Sequence, residues 1–563
     1  MPMCRGVDIE EATIEHLQRW LTNGKFSAHD LADCYLARIK KLNARLRYYL
    51  PPCDLDYLLL TDNNDSAVIE VNPDALDIAK ERDTERATGR IRGPLHGIPF
   101  LVKDNIATKD KMETTAGSRM LIGAEVPADA HVVHLLREKG AVLLGHANMS
   151  EWASMRATYY AEGYSSRGGQ SRNPYNLAEH AGGSSSGSAI AVAANMCAFS
   201  IGTETDSSVI FPADRCGIVG IKPTPSLTSC EGVLPESHTF DTVGSFGRNV
   251  KDAAAALDGL SDGNVSSAPY VASKDALEGA RFGVPWLRIW EKAASTEDSE
   301  VQHRGLENII SRIRDAGAEI HSVNLPSIEE IVPKDGHWDW YCTFSIKWNR
   351  SSLTRARDYP SSIGHPERSE YTVVKVDFYN DLKRHLSKLV TNPNNIRSLE
   401  DVIAYNIKYT EYEGGIPRTH QAWPTGQDSF DRSMESKGVE DDVYHSALDY
   451  IRQKTREEGF IQALLVDGIE LDGLLVPVQA DGGVAVQTAA QAGYPMITIP
   501  VGIDTNGVPF GLAVVHRAFR EDKLIRFGSA IEDLVGGRPR PVFLNPDADG
   551  YLYIGPDPNK TAN

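Results

Sequence analysis

Two serine-bearing turns and one lysine carry the chemistry this sequence could perform. The first turn, Gly182–Gly187, reads GGSSSG, and the second, Thr203–Ser208, reads TETDSS. Between them runs the small, apolar stretch Ala189–Ala194. A flexible Gly/Ser linker would lack such a buried-looking middle. Lys103 closes the apolar run Ile98–Val102. Ligands gather at strand carboxyl ends in open α/β sheets, although a lysine there also suits a snorkelling or ion-pairing role. A serine hydroxyl is a weak nucleophile that needs an adjacent base. A lysine amine serves as that base only when burial lowers its pKa from ~10.4 toward ~7–8.

The elements around these residues can bring them together. A helix from about Ser188 to Met196 carries the chain ~13 Å at 1.5 Å per residue. A return strand at Ala198–Ile201 travels about the same distance back. The Gly202–Ser208 turn then lies near Ser184, beside a helix N-terminus whose free N–H groups favour negative charge. The same Gly/Ser density fits a turn built for close helix–sheet packing, and spacing alone leaves both readings open. Ser185 stands at the centre of a G-x-S-x-G match, but that elbow requires a strand leading into it. The lead-in Asn176–Ala181, NLAEHA, does not read as one, so the elbow is rejected.

Elsewhere the pattern alternates between strands and helices. Ile14, Leu17 and Leu21 have helical spacing. Ser27 and Asp30 resemble a capping box opening a helix with Leu31, Tyr35, Ile39 and Leu42 on one side. Val68–Val71 reads as a short strand, and Pro73 as the first position of a helix to about Ala87. Asp54–Leu60 has no clear assignment. Val132–Gly140 reads as helix and Ala141–Leu144 as strand, an alternating step. Arg281–Pro285 and Glu319–Val323 read as strands around a helix at Ser299–Ala316. Tyr444–Leu465 reads as helix, Gly473–Pro477, Met496–Val501 and Gly511–Val515 as strands, and Lys523–Val535 as helix. The Pro/Gly/Asp-rich tail reads as irregular.

Composition narrows the classes. The 563 residues are 41% apolar and 24% charged, with a formal net charge of −19, ordinary for a globular protein. That acidity argues against nucleic-acid or anionic-membrane partners, which are bound through Lys and Arg. The start of the chain lacks the apolar core of a signal peptide, and no apolar run approaches the ~20 residues of a membrane span. Seven scattered cysteines without a C-x-x-C pair suggest reduced thiols in a cytoplasmic protein. His131, His134 and His146 lack the carboxylates or cysteines that would complete a metal site, so no metal is expected.

Six ordered stretches carry a resemblance: Pro94–Ile106 (PLHGIPFLVKDNI), Asn148–Ala153 (NMSEWA), Arg172–Asn176 (RNPYN), Gly182–Ala189 (GGSSSGSA), Gly202–Pro212 (GTETDSSVIFP) and Cys216–Thr224 (CGIVGIKPT). Ala492–Gly502 and Pro509–Gly511 add to it. The chain resembles the amidase signature family, in motif most like its peptide amidase branch. The resemblance implies a three-layer α/β/α sandwich around a large mixed β-sheet. It implies a single amidase domain over 1–563, with a signature-bearing core at 62–260 and 465–540 and a more variable 265–460. That variable region holds Trp338, Trp340, Tyr341, Trp348, Tyr405, Tyr409, Tyr412 and Trp423, suited to a substrate cap or to ordinary packing of a helical layer.

By motif position the family's Ser–Ser–Lys triad falls on Ser208 as nucleophile, Ser184 as bridging serine on a cis peptide bond, and Lys103 as base. The oxyanion donors are expected from the backbone N–H groups of Thr205, Asp206, Ser207 and Ser208. The implied activity is hydrolysis of a carboxamide, such as a peptide C-terminal amide, through an acyl-enzyme on Ser208 and without a cofactor. Many members have two glycines before the nucleophile, and this chain has Asp206 and Ser207. A serine where φ must be positive is strained. Ile210 stands where many members carry Arg. Three other readings stay open: an acyl transferase of the same family, the glutaminase-like component of a tRNA-dependent amidotransferase complex, and a non-catalytic binding protein on an amidase scaffold.

Overall fold

Eleven strands form one mixed sheet that spans both halves of the chain. The computed structural model describes residues 3–43, 67–263, 266–294, 297–331, 366–480 and 483–554. In chain order the strands are β1 (Val68–Val71), β2 (Pro99–Lys103), β3 (Val142–Ala147), β4 (Phe199–Glu204), β5 (Val219–Lys222) and β6 (Thr242–Gly247). They continue with β7 (Arg281–Pro285), β8 (Glu319–Val323), β9 (Gly473–Pro477), β10 (Met496–Ile503) and β11 (Pro509–Val515). Their spatial order is β1-β3-β2-β4-β6-β5-β10-β11-β9-β7-β8. The β3-β2-β4 and β9-β7-β8 neighbours run parallel, and the other pairings are antiparallel. The architecture is the expected α/β sandwich.

The helices form where the apolar spacing placed them. Helix α1 (Ile14–Thr22) buries Ile14, Leu17 and Leu21. Helix α2 (Ala28–Asn43) buries Leu31, Tyr35, Ile39 and Leu42. Ser27 Oγ accepts the Asp30 N–H at 3.0 Å and the Asp30 carboxylate accepts the Ser27 N–H at 3.1 Å, the capping box with Asp in the acidic role. Helix α3 (Ala75–Ala87) begins later than expected. The Asn72 N–H donates to Leu144 O in β3, and the Asn72 side chain accepts the Asp74 N–H at 3.0 Å. Pro73 therefore sits before the N-cap Asp74 and not at the first helical position.

Strand β2 is buried along its length, from Pro99 to Lys103, as a strand with parallel partners on both edges requires. Two large apolar clusters form the core. One gathers β2, β3 and β4 with helices α1 and α2, and the other gathers β9, β10 and β11 with the C-terminal helix Glu521–Val535. A third cluster joins the helical residues 370–451 to Met149, Trp152 and Phe240. Tyr409 stacks on Tyr412 and meets Tyr405 at a tilt, and Trp423 is buried under the Arg156 guanidinium at 3.7 Å. Trp338, Trp340, Tyr341 and Trp348 lie outside the described residues, as do Cys53, Cys342 and Asp54–Leu60. Cys4, Cys34, Cys197, Cys216 and Cys230 are free thiols. No helix among the described residues is long and apolar enough to cross a membrane.

Candidate active site

The helix Ser186–Ala193 and strand β4 make the excursion and return that bring the two serine turns together. Strand β4 runs on to Glu204, which pairs with Thr242, so the second turn starts at Thr205. Gly187 sits where a Cβ would collide with backbone atoms of Ala67 and Asn148, which lets this helix press against β3's end. Gly183 and Ser184 are joined by a cis peptide bond. A Cβ on Gly183 would collide with the Glu162 carboxylate and the Ser150 hydroxyl.

Ser208 Oγ lies 3.0 Å from Ser184 Oγ, and Ser184 Oγ lies 2.7 Å from Lys103 Nζ. All three are buried, with Ser208 at 5% exposure facing a narrow cavity. Lys103 Nζ also donates to Thr203 O at 3.2 Å and Thr203 Oγ1 at 2.9 Å. A neutral amine has two N–H bonds and one lone pair. With both N–H groups spent on Thr203, the lone pair faces the Ser184 hydroxyl. Burial pulls the Lys103 ammonium down to about 7, against the opposing pull of the Glu236, Asp241, Glu204 and Glu162 carboxyls. The arrangement can move a proton from one serine hydroxyl to the next and on to the amine.

Glu204 holds the turn that presents Ser208. Its Oε2 accepts the N–H groups of Val209 at 2.6 Å and Ile210 at 2.9 Å, and the Ser207 N–H also donates to this carboxyl. Of the four amides expected to face an oxyanion, that of Ser207 is thus turned toward Glu204. Ser207 has φ +73°, so the strain expected of a side chain at this position is present. Thr205 Oγ1 contacts Glu236 Oε2 at 2.7 Å and Asp241 Oδ1 at 2.5 Å. The cavity over Ser208 is walled by Ala153, Ser154, Ala157, Thr158, Tyr160, Asp206 and Glu236.

Sequence reasoning singled out Lys103, Ser184 and Ser208, and the fold brings them together. It missed Glu162, Glu236 and Asp241, which come from loops with no periodic signal. The three histidines do not converge. His131 pairs with Asp262 at 2.9 Å and His134 with Glu138 at 3.3 Å. His146 is buried between Asp104 at 2.9 Å and Thr108 at 2.9 Å.

The eleven-stranded mixed sheet thus carries two serines and a buried lysine in hydrogen-bonded sequence. The family model Amidase matches residues 58–388, and the chain belongs to that family and is an amide-hydrolysing enzyme. The protein of Schizosaccharomyces pombe named "Putative amidase C869.01" is 44% identical, over 96% of this chain and 88% of that protein. The native peptide amidase of Stenotrophomonas maltophilia has a similar structure, with a TM-score of 0.77 at 33% identity, covering 95% of this chain and 99% of that one. A glutamyl-tRNA(Gln) amidotransferase component of Clostridium acetobutylicum is similar at 28% identity, over 93% of this chain and 99% of that protein.

Proposed function

We propose that this enzyme hydrolyses carboxamides through an acyl-enzyme on Ser208, with Ser184 as relay and Lys103 as base. The observation that carries the reading is the unbroken contact Ser208–Ser184–Lys103, at 3.0 and 2.7 Å. Neutral Lys103 accepts the Ser184 proton as Ser184 accepts that of Ser208. Ser208 Oγ attacks the amide carbon, and the carbonyl oxygen becomes an oxyanion. The backbone N–H groups of Thr205, Asp206 and Ser208 are its assigned donors, each worth about 3 kcal/mol of barrier. The Ser207 amide, engaged by Glu204, is left out of the set.

Collapse of the tetrahedral intermediate breaks the C–N bond. The proton held by Lys103 returns through Ser184 to the leaving nitrogen, which departs as ammonia or an amine. Water then attacks the ester, gives a proton to the same relay, and releases the acid. The chain's own residues supply every proton transfer, so the scheme uses no metal or organic cofactor.

The similarity to the Stenotrophomonas peptide amidase at 33% identity supports a peptide C-terminal amide as the substrate class. The test is ammonia release from a panel of peptide amides, aliphatic amides and anilides, by the wild type and Ser208→Ala. Peptide amides should be hydrolysed best, and Ser208→Ala should be inactive on all. Equal turnover by Ser208→Ala overturns the reading. A second reading, the glutaminase-like component of a tRNA-dependent amidotransferase, has the similarity to the Clostridium amidotransferase component behind it, and a stable partner protein on co-purification with little activity of the chain alone would favour it.

A further inference from the structure

The wall of the cavity over Ser208 holds a carboxyl that the reaction scheme does not use. Glu236 and Asp241 both lie against one hydroxyl, that of Thr205, at 2.7 and 2.5 Å. A threonine hydroxyl has one proton to donate. It can satisfy one carboxylate, and the other carboxyl must bring its own proton to Thr205 Oγ1. Asp241 Oδ2 also accepts the Glu236 N–H at 2.9 Å, which favours the charge on Asp241. The proton therefore sits on Glu236, giving the chain Glu236 O–H to Thr205 O–H to Asp241 carboxylate.

We propose that Glu236 is a neutral carboxylic acid that determines specificity by accepting an N–H of the substrate amide through Oε1. The inference rests on the Ser208 reading above. Oε2 is taken by Thr205, and Oε1 is the acceptor left to the side chain that lines the cavity with Ser208. A neutral acid presents a carbonyl oxygen without anionic charge, suited to an amide N–H and without use for an ester. Burial and the neighbouring Asp241 push the Glu236 carboxyl well above the usual carboxylate range, and Asp241 itself stands at about 6. Lys103 and Asp206 also act on Glu236, and the Asp381 carboxylate raises Asp241.

The test compares phenylacetamide with methyl phenylacetate, the same acyl group with and without an N–H. Gln keeps the carbonyl acceptor and a donor toward Thr205, so Glu236→Gln should stay within about threefold of wild-type kcat/KM on the amide. Glu236→Leu should raise KM for the amide at least about tenfold and leave that for the ester within about threefold. Calorimetry on Ser208→Ala, with and without Glu236→Leu, reads the same preference as binding and needs no turnover. The proposal is overturned if Glu236→Gln is as impaired as Glu236→Leu, if amide and ester lose alike, or if the two backgrounds bind phenylacetamide equally. Turnover that survives Ser208→Ala would instead overturn the nucleophile assignment.

Discussion

Ser184 Oγ lies 2.7 Å from Lys103 Nζ, although 81 residues separate them in sequence. Strand β2 delivers the amine and the Gly182–Gly183 turn delivers the hydroxyl. Among the described residues its Nζ has hydrogen-bond contacts to Ser184 and Thr203 and none to a carboxylate, which suits the base role proposed for it. Removing the amine should cost nearly as much as removing the nucleophile, because residues acting as one unit are not additive. Lys103→Ala, Ser184→Ala and Ser208→Ala should each lower kcat by roughly 10³–10⁶-fold. The double variant Lys103→Ala/Ser208→Ala should lose little more, as steady-state assays of ammonia release would show.

The pH profile follows from the state of the amine. Lys103 titrates at about 7 in the fold, and only its neutral form accepts a proton. The kcat/KM of the free enzyme should rise tenfold per pH unit below about 7 and level off above it. A profile flat from pH 5 to 8 would contradict Lys103 as the base.

The position before the nucleophile carries strain that can be measured. Ser207 stands at φ +73°, where a non-glycine residue costs about 1–2 kcal/mol. Glycine there regains flexibility in the unfolded chain, which offsets part of the gain. Ser207→Gly should raise stability by up to about 1 kcal/mol in urea titrations, with activity preserved. Ser207→Val should lose more than that and lower kcat, by shifting the Ser208 turn.

Close approach around the relay serine is equally exposed to test. A Cβ at Gly187 meets backbone of Ala67 and Asn148, which cannot rotate away. Gly187→Ala should therefore destabilise by about 1–3 kcal/mol, as overpacked cores do, read in urea titrations. Gly169, with open space around its Cβ position but φ +67°, provides a contrast in which backbone strain alone acts.

Much of this architecture is legible in the sequence. The strands and helices follow from unbroken apolar runs and 3.6-residue spacing, because burial acts locally on β2 and α1. The serine turns are legible as paired features from the length of the helix and strand between them. Pro73 is misplaced by sequence reasoning because a tertiary bond, from Asn72 to Leu144, delays the helix. The Ser207 amide is assigned to the oxyanion because sequence cannot show that Glu204, three residues earlier, turns back to take it. Glu236 and Asp241 are silent for a related reason. Their role exists only where Thr205 Oγ1 falls between them, and no spacing rule encodes that meeting.

The most direct test of the central claim is covalent. A fluorophosphonate probe followed by peptide mass mapping should modify Ser208 alone in the wild type, and modification should disappear in Lys103→Ala while that protein remains folded. Modification at Ser185 or Ser207, or undiminished labelling of Ser208 in Lys103→Ala, would contradict a Ser208 nucleophile activated through Ser184 by Lys103.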